Sequence, residues 1–496
     1  MLMKHVFTFI LLVVGYTAVF SQNLPIAHDS TVVASKWYTN GNSYQKDLLL
    51  YADMLADTHP YYASKYHRKQ LRHRVKVLYK DFQTINNVDD FRVQLQKEIS
   101  LLNDSHTSIY LGLSPTLLYP VIMEIENDKT ASIISADENL AHILGRYIIK
   151  INGLPISSVL QRATQIISHD NDVFLHNILQ QYFQIKKFWD ICTPGYETLD
   201  LTFSDGTTIS LKPASMDKIK HLSKIYNDSG FMDQQDKFFS HKIFEDESIC
   251  YLQFNRFADR LTHPHMKHLP RFDYYLEQLM AEIHVKDVRT LIVDLQYNGG
   301  GNSTLGDVLL SWLAPIDSIK GYGVDVRMSE LLLKTQPDFE KVKLKDGTTY
   351  HLGEMYDLWD FDWEKLYVTN SDENTSQLID TTKHRINDNL NNIFKGNVVF
   401  IEGRGSYSSA GLLLTTARDN GVGIIIGEIS GAKPSTYGDV LQCILPNTNT
   451  RCLTSCRYFI RPNKKLKGEE VLVPDILLDL DDKDGTWDWI IRKYAD

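Results

Sequence analysis

The chain is poor in cysteine, has no run of basic residues and contains no internal repeat or low-complexity tract. Its 5 cysteines are an odd number, so at least one thiol stays unpaired within the chain. The formal net charge of -10 argues against nucleic acid or an anionic membrane as a partner. The lack of repeats excludes a solenoid or a repeat array.

Three catalytic or cofactor motifs are also missing. There is no His-Glu-x-x-His, which argues against a zinc metalloprotease. The glycines at 299–301 fail the dinucleotide pattern, because Thr304 stands where the third glycine belongs. The three histidines of the segment 263–268 lack a nearby Asp, Glu or Cys pattern and are interpreted as a solvated loop. The sequence therefore predicts neither a metal nor a cofactor.

What is present is a globular composition, with 43% hydrophobic and 23% charged residues in a chain of 496, long enough for two or three domains. Residues 1–21 combine a basic start, an apolar run and small residues before Gln22, which predicts a signal peptide cleaved after Ser21. The alternative is a membrane anchor, but about 15 apolar residues are short for a span. We expect export to a periplasm or the extracellular space, and membrane contact only if this segment stays uncleaved.

The mature chain divides into regions of different periodicity. Residues 22–115 show helical spacing and end in the motif Asp-Ser-His-Thr at 104–107. Residues 116–215 read as short strands with Asn-Gly and Asp-Gly turns, a layout typical of a PDZ-like module that binds extended peptides. Residues 216–247 are polar and are interpreted as a linker. Residues 248–496 carry the pattern of an α/β core, with 316–395 interpreted as an insertion.

The stretch 396–437 organises that core. A buried strand over Val398–Ile401 breaks at glycines and serines, a helix follows and closes at Gly421, and a second buried strand runs over Val422–Ile426. Such a unit pairs its strands in parallel, so its two following loops share one edge of the sheet. One loop holds serines 406, 408 and 409, and the other holds Lys433. A hydroxyl at a helix start beside a lysine predicts a nucleophile with a base.

Taken in order, these features resemble the tail-specific, or C-terminal processing, serine peptidases. The resemblance rests on Asp-Ser-His-Thr at 104–107, the PDZ-like segment, Asp-Leu-Gln-Tyr-Asn-Gly-Gly at 294–300, the serine and lysine loops, and Pro-Asp at 474–475. It implies an α/β fold with a crotonase-like peptidase core, a helical N-terminal domain and a PDZ-like β-rich module. No Gly-x-Ser-x-Gly surrounds Ser408, which excludes the α/β-hydrolase alternative.

The resemblance also implies site residues. In the processing branch a lysine follows the serine by 25 residues, as Lys433 follows Ser408, and we expect Lys433 to be the general base. In the tricorn-like branch a histidine is the base, which corresponds here to His106 preceded by Ser105, with a distal glutamate near Glu469 or Glu470. We expect the oxyanion to be bound by the backbone of Ser409 and of Gly299 or Gly300.

The expected function is therefore an exported serine endopeptidase that hydrolyses polypeptides through an acyl-enzyme. Gly411, where the processing branch carries Glu, leaves open a catalytically silent peptide-binding protein of the same fold. A third alternative, carbohydrate processing, rests only on Trp359 and Trp363. The oligomeric state is left open, as is a disulfide between Cys443 and Cys452, which flank a predicted hairpin turn.

Overall fold

The computed structural model describes residues 30–219, 222–224, 232–363 and 383–495. The predicted signal peptide lies outside the described residues, as do parts of the predicted linker and of the predicted insertion. No helix in the described ranges has both the length and the apolar character needed to cross a bilayer.

The N-terminal region is helical, as its periodicity predicts. Its third helix begins at a capping box, in which Asn42 and Gln45 each accept a backbone N–H from the other. The helix then buries Leu48, Tyr51 and Leu55 along one face. The elements are α1 (Ser30–Val33), α2 (Lys36–Asn40), α3 (Ser43–Thr58), α4 (Lys65–Asp81), α5 (Val88–Ser100) and β1 (Ser108–Ile109).

The β-rich region that follows forms one antiparallel sheet. The predicted strands, the Asn152-Gly153 turn and the final hairpin are present. Two helices that the sequence does not predict, at 172–182 and 186–192, follow the helix at 156–166. The strands are β2 (Val121–Asn127), β3 (Thr130–Asp137), β4 (Tyr147–Ile151), β5 (Leu154–Pro155), β6 (Leu199–Phe203), β7 (Thr208–Leu211) and β8 (Leu222–Lys224). The helices are α6 (Ile156–Ile166), α7 (Asp172–Tyr182) and α8 (Lys186–Cys192).

The remaining chain builds a mixed α/β core. Its strands are β9 (Phe239–Phe244), β10 (Ile249–Phe254), β11 (Thr290–Asp294), β12 (Gly323–Arg327), β13 (Met355–Asp357), β14 (Asn397–Glu402), β15 (Ile424–Gly427), β16 (Thr436–Leu445), β17 (Thr450–Ile460) and β18 (Ile476–Leu477). Its helices are α9 (Phe272–Val285), α10 (Thr304–Ser311), α11 (Glu330–Thr335), α12 (Asp338–Lys341), α13 (Ser409–Asn420) and α14 (Lys483–Tyr494).

The central sheet has the order β18-β15-β14-β11-β10-β9, and all its pairs are parallel except the edge pair β10 and β9. Helices α9, α10 and α13 cover one face and α14 covers the other, so β10 and β11 are buried along their whole length. This explains why these strands are continuous apolar runs without alternation. Parallel pairing of β14 with β15 confirms the predicted unit at 396–437 and brings the ends of these strands to one edge.

A second sheet lies beside the core, in the order β1-β17-β12-β13, with β16 also paired to β17. The predicted insertion at 316–395 therefore contributes two strands, β12 and β13, to the sheet of the hairpin. Cys443 and Cys452 face each other across the β16 and β17 pair, as the hairpin predicts. Both are free buried thiols in this structure. Through β1, the same sheet holds the segment that follows His106.

Candidate active site

Ser408 occupies the turn between β14 and α13. Its backbone has φ 54° and ψ -121°, a conformation that costs a non-glycine residue of the order of 1 kcal/mol or more. Residues held in such strain cluster at active sites, where the surrounding structure enforces the conformation. Ser408 directly precedes Ser409, the first residue of α13. The N-terminal end of a helix favours negative charge, so charge that develops beside Ser408 is stabilised there.

The glycine turn after β11 packs directly against this serine. A Cβ added to Gly300 would lie 2.7 Å from Ser408 Cβ and 3.0 Å from the Ser409 nitrogen. Asn298 holds the turn, because its side chain accepts the Gly300 N–H and its carbonyl accepts the Tyr407 N–H. Ser409 Oγ donates to the Gly301 carbonyl at 2.7 Å. Only glycine at 300 permits so close an approach, with φ 99°.

His106 reaches Ser408 from the N-terminal region. Its Nε2 lies 3.2 Å from Ser408 Oγ, within hydrogen-bonding distance. The structure therefore brings together two of the predicted catalytic residues, which are 302 positions apart in the chain.

Two hydroxyl groups lie beside the imidazole and lead to a second carboxylate. Tyr407 Oη lies 2.9 Å from His106 Nδ1 and 3.2 Å from Nε2, over the face of the ring, and the two rings stack at 5.0 Å between centroids. Ser105 Oγ shares a short hydrogen bond with Tyr407 Oη and lies 2.6 Å from Asp170 Oδ2. Asp170 also accepts the Ser105 N–H at 3.1 Å. Two hydroxyl groups thus lie between the imidazole and a carboxylate that is only 4% exposed.

Asp104 is a second buried carboxylate beside His106. Its Oδ1 accepts the His106 backbone N–H at 2.9 Å and lies 3.6 Å from His106 Nδ1. Its Oδ2 accepts from His59 Nε2 at 3.0 Å, from Thr107 Oγ1 and from Ser455 Oγ. Since His59 Nδ1 accepts the Tyr61 N–H, its proton sits on Nε2 and points at Asp104. Asp104 therefore accepts four hydrogen bonds, three of them on Oδ2.

The two carboxylates shift the protonation of the histidine. Burial alone would lower the pKa of His106, but Asp104, through a hydrogen bond and its charge, and then Asp170 raise that pKa above its ordinary value. Burial likewise would raise the pKa of Asp104, yet hydrogen bonds from His106 and His59 hold it well below its ordinary value. Burial raises the pKa of Asp170, and the positive charge of His106 opposes that rise.

Lys433 is not hydrogen-bonded to Ser408 among the described residues. Its Nζ forms an ion pair with Glu470 Oε2 at 2.6 Å, and Glu470 is 62% exposed. This geometry does not support the expectation that Lys433 is the base: its amine is paired with a carboxylate, whereas an imidazole contacts Ser408. The alternative left open by the sequence, with His106 as base, matches this geometry.

The distal glutamate of that alternative needs a correction too. Glu469 Oε2 is paired with Arg461 Nη1 at 2.5 Å, and Glu470 is taken by Lys433. Neither glutamate contacts the histidine in the described part of the chain. Asp104 and Asp170 are the carboxylates next to His106, and Ser105 is the residue that connects Asp170 to it.

The expected oxyanion donors are partly available. The Gly300 N–H donates to Asn298 Oδ1 at 2.8 Å, so Gly300 contributes close approach and not a free donor. The N–H groups of Gly299 and Ser409 make no hydrogen bond within the ranges that the structure describes. The Ser409 nitrogen also lies at the start of α13, next to Ser408, where a developing oxyanion would be stabilised.

The β-rich module packs onto the site through α7 and the residue before it. Asn171 Nδ2 donates to the carbonyls of Gly431 and Glu470, each at 2.9 Å, and Asn177 Nδ2 donates to Ser430 O at 2.7 Å. The Phe174 ring lies 4.7 Å from that of Tyr407. The lysine loop and the site tyrosine are therefore both held by the module.

One group of acidic side chains in the described ranges has the spacing of a metal site. Oxygens of Glu428, Asp479 and Asp481 lie within 4.8 Å of one another. Arg404 sits among them, paired with Glu428 at 3.2 Å and Asp481 at 3.7 Å, and it also pairs with Glu124 of β2. The Arg404 guanidinium therefore already pairs with two of these three carboxylates.

Sequence reasoning missed Tyr407, Asp170 and His59. Tyr407 lies inside the predicted serine loop. Its position next to the predicted nucleophile was the signal that could have identified it as a site residue. Asp170 lies in the polar segment Ser-His-Asp-Asn-Asp at 168–172, where Asn171 is an N-cap that predicts the start of α7. His59 precedes a proline after a helix, and no local pattern distinguishes it from a surface histidine.

The core matches a known family, and the fold has known relatives. Residues 248–477 match the sequence profile of peptidase family S41. Mature CPAF complexed with lactacystin has a TM-score of 0.58 at 14% identity, over 92% of this chain and 98% of that chain. Mature CPAF alone has a TM-score of 0.56 at 15% identity, over 90% and 93%. The photosystem II D1 C-terminal processing protease has a TM-score of 0.42 at 12% identity, over 92% of this chain and 98% of that chain.

At these identities the structural likeness shows the fold, which is the mixed α/β arrangement of this peptidase family. No curated protein sequence matches the chain significantly. The family profile spans β10 to β18 and includes the strained serine, the glycine turn and α13. Residues 248–477 thus carry the sequence profile of peptidase family S41, and the protein is a serine-type peptidase.

Proposed function

We propose that the protein is an endopeptidase in which Ser408 is the nucleophile and His106 is its general base. The observation that carries this proposal is the 3.2 Å separation of Ser408 Oγ and His106 Nε2, at a serine held in a strained turn at the start of a helix. A serine hydroxyl is a weak nucleophile until a neighbouring base accepts its proton.

In the first half-reaction Ser408 Oγ attacks the carbonyl carbon of the peptide bond and passes its proton to His106 Nε2. The oxygen of the tetrahedral intermediate accepts from the N–H groups of Ser409 and Gly299. The C–N bond then breaks as His106 returns the proton to the leaving amine. In the second half-reaction His106 deprotonates a water, which attacks the ester carbonyl and releases the acid and the free serine.

Asp104 stabilises the imidazolium that forms in both half-reactions. Its Oδ1 is 3.6 Å from His106 Nδ1, and the carboxylate is buried, so its charge is little screened by water. Its hydrogen bond to the His106 backbone also orients the residue.

The substrates follow from the reaction class and are polypeptides. The β-rich module would present extended segments to the site, since its edge strand β2 packs beside α7, which holds the site tyrosine. The sequence of residues 1–21 supports export, which the N-terminal residue of the secreted protein would test: Gln22 is expected, and retention of Met1 would contradict it.

The test of the chemistry uses a fluorophosphonate probe and hydrolysis of an internally quenched peptide. The matched control is Ser303→Ala, an exposed serine without a side-chain cap hydrogen bond near the glycine turn. Ser408→Ala should abolish labelling and lower kcat by about 10⁶-fold, whereas Ser303→Ala should label and turn over like the wild type. Labelling and hydrolysis that persist in Ser408→Ala would overturn the proposal, and a wild type that binds peptide without labelling would show a silent binding protein.

A further inference from the structure

We infer that the exposed face of helix α4 (Lys65–Asp81) is a docking surface for an anionic lipid bilayer. The net charge of -10 argues against such a partner for the chain as a whole. Binding to a charged surface, however, depends on where the positive charges lie and not only on their sum. The inference goes beyond the proposed peptidase function and does not depend on it.

Basic side chains form a stripe along this helix. They follow one another at intervals of three or four residues, which places them on one face, and all of them are exposed. From its first to its last member the stripe is about 22 Å long. None of its members forms an ion pair within the part of the chain that the structure describes. The members of the stripe are Lys65, Lys69, Arg72, Lys76 and Lys80.

The stripe does not stabilise the helix itself. Lys65 stands at the N-terminal end of α4, where the helix dipole disfavours positive charge. Lys69 lies one turn further along the same face, and like charges at this spacing repel each other. The acidic residue of α4 is Asp81, at its opposite end, so the repulsion is not relieved within the helix. A bound anionic surface would relieve it, which makes the stripe a feature of binding and not of folding.

Apolar side chains on the same face favour a lipid bilayer over other anionic partners. Tyr66 and Val77 lie about three helical turns apart on this face and are 65% and 50% exposed. Trp37 of α2 is 46% exposed, and its ring packs at 4.8 Å against that of Tyr79, so the indole flanks the stripe. Helices that lie on membranes combine basic side chains with such apolar and aromatic ones. Nucleic acid, in contrast, is held mainly through charge.

The opposite face of α4 attaches the helix to the rest of the protein. Leu71 and Leu78 are buried in the core, and Arg68 Nη2 donates to the Gly353 carbonyl at 2.9 Å. The exposed side chains of α4 can therefore be substituted without disturbing the contacts that hold the helix in place. This makes the surface testable by mutation.

The experiment measures binding of the secreted protein, expected to start at Gln22, to sedimented vesicles. One set contains phosphatidylglycerol and phosphatidylcholine in equal parts, and the other contains phosphatidylcholine alone. The wild type should bind the anionic vesicles, lose this binding as the salt concentration rises, and leave the neutral vesicles unbound. Each basic residue near an anionic surface strengthens binding about fivefold, so the triple variant Lys69→Gln/Arg72→Gln/Lys76→Gln should bind about 100-fold more weakly.

The matched control removes the same charge elsewhere. The triple variant Lys150→Gln/Lys212→Gln/Lys267→Gln substitutes exposed lysines that are scattered along the chain. Because charges beyond the screening length contribute little, this variant should bind anionic vesicles within about threefold of the wild type.

A second variant separates lipid from other anions. Tyr66→Ser/Val77→Ser keeps the charges but removes apolar contacts, and it should weaken binding to anionic vesicles by about 10-fold. Tighter binding of the wild type to polyglutamate or to single-stranded DNA than to anionic vesicles would overturn the inference, because it would identify an acidic polypeptide or a nucleic acid as the partner.

Three further outcomes overturn the inference. These are no binding of the wild type to anionic vesicles, equal binding to neutral vesicles, and equal binding of the two triple variants. If the stripe variant does not fold, as judged by thermal unfolding, Lys76→Gln alone decides: its binding should fall about fivefold, and unchanged binding overturns the inference.

Discussion

At the scale of single residues, the site places one strained serine, one imidazole and two buried carboxylates in contact. The strain at Ser408 is maintained by the Asn298 bridge to Tyr407 and by the Gly300 backbone behind the serine. Substituting one of these residues should therefore change kcat and the free energy of unfolding to different degrees. The change in each depends on how many hydrogen bonds and contacts the residue makes.

Asp104→Asn should lower both stability and activity. The carboxylate accepts four hydrogen bonds, and Asn cannot accept from all four donors. Breaking such a buried charged network typically costs about 3 kcal/mol of unfolding free energy. Because the folded pKa of Asp104 is depressed, its stabilisation is present at neutral pH and is lost as the pH falls below its unfolded value of roughly 4.

Urea unfolding at pH 7 and at pH 4 measures this effect. The difference in unfolding free energy between wild type and Asp104→Asn should be larger at pH 7 than in acid. A difference that is the same at both values would show that the charge of Asp104 does not stabilise the fold.

Glu402, at the end of β14, should make stability fall as the pH rises. Burial raises its pKa to about 7, although Ser430 hydrogen-bonds one of its oxygens. The folded state then holds the proton more tightly than the unfolded state, so the stabilisation is full below about pH 4.5 and is lost as the pH rises to 7. Thermal unfolding of Glu402→Gln from pH 5 to pH 8 should show a smaller decline than the wild type, with the remainder due to Glu428, whose pKa burial also raises to about 7. The exposed control Glu277→Gln should retain the full decline, and a wild-type slope in Glu402→Gln would contradict the assignment.

At the scale of elements, the site depends on the ends of β11 and β14 meeting at one edge. Their apolar runs made both strands predictable, and the glycine at 421 made the end of α13 predictable, since it adopts φ 69° as a helix cap. Helix α7 was not predicted, although Asn171 caps it, because its apolar residues lie close to those of α8 without a glycine or proline between them. Because α7 was not predicted, Asp170, which lies two residues before this helix, was not recognised as a site residue.

The contact between these two elements predicts the effect of Gly300→Ala. The added methyl would lie 2.7 Å from Ser408 Cβ and 2.9 Å from the Tyr407 carbonyl, both below normal contact distance. We expect kcat to fall by roughly 100-fold or more, comparable to the loss of an oxyanion donor, because the nucleophile and the Ser409 N–H must shift.

Gly206→Ala is the control for backbone strain. Gly206 also has a positive φ, of 86°, but no atom lies within 4 Å of the position of a Cβ. The Gly206→Ala variant should lose about 1 kcal/mol of unfolding free energy and keep the wild-type kcat. Equal kcat values for the two alanine variants would mean that the glycine turn does not shape the site.

At the scale of the whole molecule, the site is assembled from regions far apart in sequence. Order along the chain allowed the serine, the histidine motif and the glycine turn to be recognised together. Spacing alone favoured Lys433 over His106, because a spacing between two residues does not reveal which ion pairs form in three dimensions. The partner of Lys433, Glu470, lies on a loop with no regular pattern.

The region 316–395 is a second case in which local sequence does not reveal contacts between distant parts of the chain. Its many Trp, Asp and Asn residues were interpreted as an insertion without assigned chemistry, yet β12 pairs with β17 over four residues. Pairing between strands more than a hundred residues apart leaves no local signal, since each strand is short and partly exposed.

Docking of the β-rich module should order the lysine loop. Asn177→Ala removes the hydrogen bond to Ser430 O, and Gln180→Ala on the same helix is the control, because the Gln180 side chain makes no hydrogen bond in the described part of the chain. We expect faster hydrogen exchange over 429–433 and a loss of about 1 kcal/mol in local stability for Asn177→Ala alone. Identical exchange in the two variants, measured by mass spectrometry, would contradict this role of the module.

The most direct test of the account measures kcat/KM for His106→Gln and Lys433→Met side by side on one quenched peptide. With His106 as base, His106→Gln should lose about 10²- to 10⁴-fold in kcat/KM, and Lys433→Met should stay within a few fold of the wild type, because it removes only a partly exposed ion pair. The reverse result, with a large loss in Lys433→Met and little in His106→Gln, would contradict the account.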